Sequence, residues 1–284
     1  MIYLYRSTLG VFVRDPESAP DTLVSCPEVS LDDVFRAERP VDLVRAAADQ
    51  AQTRSELPAG ALLPLVEGQE VWAAGVTYYR SRTARMEESS QAGGGSFYDR
   101  VYEAERPEIF YKGNARTVVA PGAPVRIRDD SAWNVPEPEL VLAINRHGRI
   151  IGYTAGNDMS SRDIEGENPL YLPQAKVYDG SCALGPALAL GEAPIDRSLA
   201  IELSITRGGT TAFEGRTSIE ELKREPDELA AYLFRNQTFP EGCYLMTGTG
   251  IVPDDAFTLQ AGDIVSITVG TLPPLVNPVN EERT

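Results

Sequence analysis

Two glutamates on one predicted β-strand are the first residues whose spacing suggests a shared chemical task. Glu137 and Glu139 lie in the segment PEPELVLAI. Side chains of a strand alternate between its two faces, so both carboxylates point to one side, and Leu140, Leu142 and Ile144 point the other way into a core. A divalent cation removes the repulsion between neighbouring carboxylates, and hard cations such as Mg²⁺ prefer oxygen ligands. The simpler alternative is a strand face that contacts solvent.

A third carboxylate, Asp158, lies where the next predicted strand ends, in the segment GYTAGND. At this position it would complete a set of three oxygen ligands around one cation. Aspartate is also a common turn residue, so an ordinary turn at the end of the strand is the alternative.

Three further residues are candidates for proton transfer or for binding an anion. Glu108 and Lys112 share one face of the predicted strand EIFYK, because alternate residues of a strand lie on the same side. Glu108 would move a proton, and Lys112 would balance the charge of a negative substrate. Lys176 is a second candidate base. The alternatives are a surface ion pair for Glu108 and Lys112, and a solvated loop position for Lys176.

Histidine and cysteine are scarce in this chain, which has one histidine and three cysteines. His147 lies in a predicted turn, Arg-His-Gly-Arg, so a mechanism that needs a histidine base within a helix or strand is disfavoured. Cys26, Cys182 and Cys243 lack the spacing of a zinc site, and their odd number argues against a disulfide framework.

The charge of the chain excludes two classes of partner. Its 284 residues include 26 basic and 42 acidic ones, which gives a net charge of −16. Such a surface repels phosphate backbones and anionic membranes, so we expect neither nucleic acid nor membrane as a partner. The sequence shows no membrane-spanning run and no signal-peptide pattern, so we expect a cytoplasmic protein. A small anionic substrate would need a locally positive pocket or a bound cation.

The elements that must position these residues divide the chain into two predicted units. Residues 1–65 combine a short strand at 1–5 with two helical patterns, the second of which begins near Pro40. The stretch LPAGALLPLVEG, rich in Pro and Gly, is typical of a linker. From Glu70 onwards, short strands alternate with turns. The sequence therefore predicts an α+β, β-rich protein, with a small N-terminal α/β domain at 1–65 and a catalytic domain at 66–284.

Four blocks in a fixed order, PEPEL, GYTAGNDMSSRD, KVYDGSCALGP and TGTG, resemble the fumarylacetoacetate hydrolase family from about residue 70 to the C terminus. The resemblance implies a mixed β-roll catalytic domain that assembles as a homodimer or homotetramer. It also implies that Glu137, Glu139 and Asp158 hold Mg²⁺ or Mn²⁺, and that Lys176 is the family's lysine before the Leu-Gly-Pro block. The turn that receives a substrate carboxylate would be formed by Thr247, Gly248 and Thr249.

The chain departs from the family's hydrolases at one motif. Those hydrolases carry Asn-Tyr-x-x-His, whose histidine helps to activate water, and Ser81 takes the histidine's place in the matching stretch of this chain. A serine hydroxyl is not a base near neutral pH, so C–C hydrolysis by activated water loses its usual base.

One branch of the family matches nearly the whole chain. The run FYDRVYEAERPEIFYKG, the serine at position 81 and ENPLYLPQAKVY closely resemble the 2-keto-3-deoxy-D-arabinonate dehydratases. The resemblance implies a Mg²⁺-dependent dehydration of this 2-oxo-3-deoxy sugar acid to 2,5-dioxopentanoate (2-oxoglutarate semialdehyde) in oxidative pentose degradation. Glu108 and Lys176 are the two candidates for proton transfer in this reaction. Substrate contacts would come from Ser81, Arg82, Lys112 and the turn at 247–249.

Two other functions stay open on the sequence. An acylpyruvate-type hydrolase or an oxaloacetate-type decarboxylase would use the same cation to cleave a C–C bond. A protein without catalytic activity that binds a metal or a keto acid is the third hypothesis, although the complete set of three carboxylates disfavours it.

Overall fold

The computed structural model describes residues 1–17, 23–51, 57, 60–80 and 100–280. Strands dominate these residues, as the sequence predicts for an α+β, β-rich protein. In chain order they are β1 (Ile2–Ser7), β2 (Gly10–Arg14), β3 (Val24–Cys26), β4 (Glu70–Gly75), β5 (Glu108–Gly113), β6 (Val118–Val119), β7 (Val125–Arg126), β8 (Asn134–Val135), β9 (Pro138–Ile144), β10 (Ile150–Asp158), β11 (Ser160–Ser161), β12 (Cys182–Leu184), β13 (Leu188–Leu190), β14 (Ala200–Arg207), β15 (Thr210–Ser218), β16 (Cys243–Met246), β17 (Ile264–Val269) and β18 (Leu275–Asn280).

The helices of the described residues are short and lie between the strands. They are α1 (Leu31–Arg36), α2 (Pro40–Gln50), α3 (Arg162–Glu167), α4 (Leu172–Lys176) and α5 (Pro226–Leu233), with 3₁₀ turns at Pro169–Tyr171 and Ile219–Glu221. Residues 79–80 and 100–103 are also helical. None of these helices has the length and the apolar character needed to cross a membrane.

The strands form one large and two smaller sheets. The largest has 11 strands and follows the path β3-β2-β1-β13-β10-β9-β16-β4-β5, with β12 beside β10 and β6 beside β12. A second sheet of five strands has the order β15-β14-β17-β18-β7, and among the described residues β11 pairs only with β8. Strands β9 and β10 therefore lie in the middle of the largest sheet.

The N-terminal residues form the elements that the sequence predicts. Strand β1 is followed by β2 and β3 and then by the two predicted helices α1 and α2, and Pro40 is the first residue of α2. Ser30 begins α1 with a capping box, because its hydroxyl accepts from the backbone N–H of Asp33 and the Asp33 carboxylate accepts from the backbone N–H of Ser30. Strand β1 pairs with β13, so these strands extend the large sheet. The division at residue 65 stays a prediction.

Strand β9 is buried on both of its faces. As predicted, Leu140, Leu142 and Ile144 face a hydrophobic core. This core also includes side chains of β14 and β17 from the five-stranded sheet. Val141 and Ala143 point the other way and pack with side chains of α1. The alternative of a strand face that contacts solvent is therefore wrong, because β9 lies in the central layer between α1 and the five-stranded sheet.

Candidate active site

The antiparallel pair β9–β10 brings three carboxylates together. Glu139 pairs with Gly156, and the backbone N–H of Asp158 donates to the carbonyl of Glu137 at 3.0 Å. Oxygen atoms of Glu137, Glu139 and Asp158 consequently lie within 4.8 Å of one another, and all three side chains are buried. Three hard oxygen donors at this separation are suited to Mg²⁺ or Mn²⁺. Their role as metal ligands stays a prediction.

Three buried basic side chains contact two of these carboxylates. Arg162 donates to Glu137 Oε1 at 3.0 Å, and Lys176 donates to Glu137 Oε2 at 2.5 Å. Lys176 also donates to Asp158 Oδ2 at 3.1 Å, while the ammonium of Lys112 forms an ion pair with Asp158 Oδ1 at 2.5 Å. Three positive charges therefore face the three negative charges of the carboxylate group. Arg162 was not singled out from the sequence, where an arginine at the start of a short helix gives no sign that it is buried.

Glu139 has a neutral partner, the backbone N–H of Gly248, which donates to Glu139 Oε2 at 2.5 Å. Burial and repulsion from Asp158 and Glu137 raise the pKa of Glu139 well above its usual value, although Lys176 and the Gly248 N–H act in the opposite direction. Among the three carboxylates, Glu139 is thus the one that lacks a nearby positive charge sufficient to balance its own. A cation between the three side chains would supply it.

Lys112 and Lys176 are both fully enclosed by the protein. Lys112 lies in β5, and its ammonium donates to the carbonyl oxygens of Met159, at 3.0 Å, and of Lys176. Lys176 ends α4, and its Nζ lies 5.9 Å from the ring centroid of Phe110. The exposed fractions are 0% for Lys112 and 1% for Lys176, so the alternatives of a surface ion pair and a solvated loop lysine are wrong.

Glu108 begins β5, the strand that also carries Phe110 and Lys112. It pairs with Gly75 at the end of β4, and its carboxylate lies against the bare Cα of that glycine, where a Cβ would overlap with Glu108 Oε2. The structure therefore fixes the backbone that carries Glu108. A role for Glu108 in proton transfer stays a prediction.

The turn at 247–249 directly follows β16. Gly248 has φ = 91°, and a Cβ at this position would lie 3.0 Å from the carbonyl oxygen of Ala74 and would overlap with Thr77 Oγ1. The Thr247 hydroxyl donates to the carbonyl of Leu140 at 3.0 Å. The turn therefore requires glycine at its centre, and it holds the N–H of that glycine against Glu139.

Thr249 completes this turn. Its hydroxyl donates to the carbonyl of Ile251 at 3.3 Å. Because the Thr247 and Thr249 hydroxyls have backbone partners, they shape the turn. Binding of a substrate carboxylate by Thr247, Gly248 and Thr249 stays a prediction.

A residue with a strained backbone lies at the end of β4, next to the residue that hydrogen-bonds to the turn at 247–249. Val76 has φ = 54°, an unfavourable value for a β-branched residue. It redirects the chain at the end of β4, and the hydroxyl of the next residue, Thr77, donates to the carbonyl of Thr247 at 2.6 Å. Backbone strain of this kind persists where the surrounding structure holds it in place, and it is common at functional sites.

Three predictions concern other residues. Ser81 and Arg82 lie outside the described residues. His147 occupies the turn between β9 and β10, as predicted, at the opposite end of these strands from Glu139 and Asp158. The single histidine is therefore not part of the carboxylate site.

Comparison with known proteins extends these observations. The model of the fumarylacetoacetate (FAA) hydrolase C-terminal domain matches residues 78–280. A probable 2-keto-3-deoxyxylonate dehydratase of Haloferax volcanii is 47% identical over 215 residues, which cover 75% of this chain and 73% of that protein. A 2-dehydro-3-deoxy-D-arabinonate dehydratase of Saccharolobus solfataricus is 41% identical over 220 residues, which cover 77% and 74% of the two chains.

Solved structures of a dehydratase match this chain over its full length. A 2-keto-3-deoxy-D-arabinonate dehydratase complexed with magnesium and 2,5-dioxopentanoate superposes with a TM-score of 0.81 at 30% identity and covers 100% of both chains. Its apo form superposes with a TM-score of 0.83. The order of sequence blocks, the β-rich fold and these matches agree, and the chain belongs to the fumarylacetoacetate hydrolase family.

Proposed function

We propose that this protein is a Mg²⁺-dependent dehydratase that converts 2-keto-3-deoxy-D-arabinonate, the same compound as 2-keto-3-deoxy-D-xylonate, to 2,5-dioxopentanoate in oxidative pentose degradation. The observation that carries the proposal is the buried group of Glu137, Glu139 and Asp158, whose oxygens lie within 4.8 Å of one another. The group occurs in a chain that aligns from end to end with a dehydratase complexed with magnesium and 2,5-dioxopentanoate.

The three carboxylates hold the cation, Mg²⁺ or Mn²⁺. Their hard oxygen donors and the charge deficit at Glu139 fit such an ion. When bound, the cation acts as a Lewis acid that polarises the 2-oxo group of the substrate and makes the protons at C3 more acidic.

The side chains of the site then explain how an acidic protein binds an acid. Across the whole chain the net charge is −16, which repels a carboxylate. At the site, Lys112, Lys176 and Arg162 already balance the three carboxylates. A divalent cation therefore leaves the site with an excess of about two positive charges, which attracts an anionic substrate. The turn at 247–249 receives the substrate carboxylate through the N–H of Thr249, because the N–H groups of Thr247 and Gly248 donate to Leu140 and Glu139.

Glu108 and Lys176 carry the protons. One of them takes a proton from C3, and the other gives a proton to the C4 hydroxyl, which leaves as water. Loss of a proton from C5 and its return at C3 moves the double bond to C4–C5. The resulting enol takes up a proton at C4 and loses the proton of its C5 hydroxyl, which leaves the C5 aldehyde. The net change is the loss of one water molecule, without an oxidant or reductant.

Product analysis tests this function. Purified protein is mixed with Mg²⁺ and 2-keto-3-deoxy-D-arabinonate, and the products are identified by NMR and mass spectrometry. The proposal requires an aldehyde with all five carbons of the substrate. Pyruvate or CO₂ would instead indicate C–C cleavage by a hydrolase or decarboxylase, and no turnover would indicate a protein that only binds its ligands.

The same proposal includes the state of the protein in the cell. Family resemblance supports assembly as a homodimer or homotetramer, and the three cysteines, which lack the pattern of a disulfide framework, support a cytoplasmic location. It also includes a small N-terminal domain at 1–65 and a catalytic domain at 66–284. Light scattering on the purified protein measures the assembly, and expression of residues 66–284 alone tests the division.

A further inference from the structure

Lys112 is a buried cation that touches three parts of the site at once. From β5, its ammonium meets Asp158 Oδ1 at 2.5 Å and donates to the carbonyl oxygen of Met159 at 3.0 Å. It also donates to the carbonyl oxygen of Lys176. The side chain thus connects β5 with the end of β10 and with the end of α4.

These contacts surround the ammonium. Two of its three N–H groups donate to the two carbonyls, and the ammonium forms an ion pair with Asp158 Oδ1 at 2.5 Å. The side chain is also 0% exposed. A substrate would have to break one of these contacts to reach Lys112, so direct binding of substrate is disfavoured.

The contacts of Lys112 instead determine the geometry of two other residues. Asp158 presents Oδ1 to Lys112 and Oδ2 to Lys176, so Lys112 fixes the orientation of the carboxylate plane. The bond to the carbonyl of Lys176 fixes the end of α4, from which the Lys176 side chain extends to Glu137 and Asp158.

We infer that Lys112 is a positioning residue, which orients Asp158 for the cation and holds the backbone of Lys176, and that it does not contact the substrate. The inference rests on the proposed function for the cation and for Lys176. It replaces the expectation that Lys112 balances the charge of the substrate. Groups that hydrogen-bond to a metal ligand orient it, and their removal weakens metal binding about 10–100-fold.

Metal binding in the absence of substrate tests the inference. Lys112→Met keeps an unbranched side chain that is one atom shorter, and it removes the charge and the donors. We expect chelator-treated K112M to bind Mn²⁺ about 10–100-fold more weakly than the wild type in calorimetric and EPR titrations. At saturating metal, kcat falls because the Lys176 backbone has lost its anchor, while KM for the sugar acid stays close to the wild-type value.

Two further variants separate this role from a general loss of stability. Arg207→Met removes the ion pair between the end of β14 and Asp263, a fully buried carboxylate directly before β17, and should lower the melting temperature without changing Mn²⁺ affinity. If K112M does not fold, Lys112→Gln keeps donors for the carbonyls while it removes the charge, and its Mn²⁺ affinity decides the question.

The outcomes are distinct. Wild-type Mn²⁺ affinity combined with a raised KM in the Lys112 variants would overturn the inference and would make Lys112 a substrate-binding residue. Unchanged Mn²⁺ affinity, KM and kcat would also overturn it. A wild-type protein that binds Mn²⁺ but does not dehydrate the sugar acid would refute the proposed function and leave the orienting role of Lys112 measurable.

Discussion

Replacement of Glu139 by glutamine should affect the stability of the metal-free protein and that of the Mg²⁺-loaded protein differently. Glu139 is 1% exposed, and its pKa is raised by burial and by the neighbouring carboxylates of Asp158 and Glu137. Glutamine has the same shape, and its carbonyl oxygen still accepts from the Gly248 N–H, which bonds to Glu139 Oε2 in the structure. We therefore expect metal-free E139Q to unfold at or above the wild-type temperature, because a buried repulsion is gone.

The loss of one metal ligand in E139Q should reduce the extent to which Mg²⁺ stabilises the folded protein. At a Mg²⁺ concentration 100 times the wild-type dissociation constant, binding stabilises the folded state by about 2.7 kcal/mol. Removal of a residue that hydrogen-bonds to a metal ligand weakens metal binding by up to about 100-fold. If loss of the charged ligand itself has an effect of this size, the same Mg²⁺ concentration stabilises E139Q by only about 0.4 kcal/mol. The Mg²⁺-induced rise in melting temperature should therefore shrink by roughly 5 °C.

The assay is thermal unfolding of both proteins with chelator and with Mg²⁺, accompanied by turnover of the sugar acid. Glu70→Gln is a matched control, because Glu70 lies at the start of β4 and accepts from the indole N–H of Trp72, which glutamine can also do. E70Q should keep the full Mg²⁺ shift and full activity. A wild-type Mg²⁺ shift in E139Q would refute the ligand role, and a metal-free E139Q that melts far below the wild type would refute the argument from buried repulsion.

Three other substitutions test the geometry around the site. Gly75→Ala places a methyl group against the carboxylate of Glu108 and should lower kcat about 100-fold, as for a displaced acid or base, while Mn²⁺ affinity in titrations stays unchanged. Gly248→Ala puts a side chain at φ = 91° and against Thr77, and should lower the free energy of unfolding by about 2–3 kcal/mol in urea titrations. Ser30→Ala removes the cap of α1 and should cost about 1 kcal/mol in the same assay with no change in kcat or KM. Activity loss in S30A, or wild-type kcat in G75A, would contradict these assignments.

The local pattern of the chain predicts strands such as β9 and β10 but not the layers around them. The alternation in β9 places Leu140, Leu142 and Ile144 on one core face, and the structure confirms this. Burial of Val141 and Ala143 on the other face depends on α1, which is about 100 residues away in sequence. The pairing of β1 with β13 depends on a segment even further away in sequence, so no local period reveals it.

The site shows the same division between local and distant information. The spacing of Glu137 and Glu139 on a strand predicts that they share a face, and Asp158 follows from the antiparallel neighbour. The counter-charges come from separate elements, Lys112 on β5 and Arg162 at the start of α3. A single sequence does not show that these two side chains are buried, because lysine and arginine are usually exposed.

The requirement for a cation is the central claim, and the dehydration rate of chelator-stripped protein tests it most directly. Protein freed of metal, as verified by elemental analysis, is mixed with 2-keto-3-deoxy-D-arabinonate, and the aldehyde is followed by ¹H NMR before and after addition of Mg²⁺. We expect a background rate before the addition and full activity after it. Full activity of the stripped protein before Mg²⁺ is added would contradict the role of the three carboxylates in catalysis.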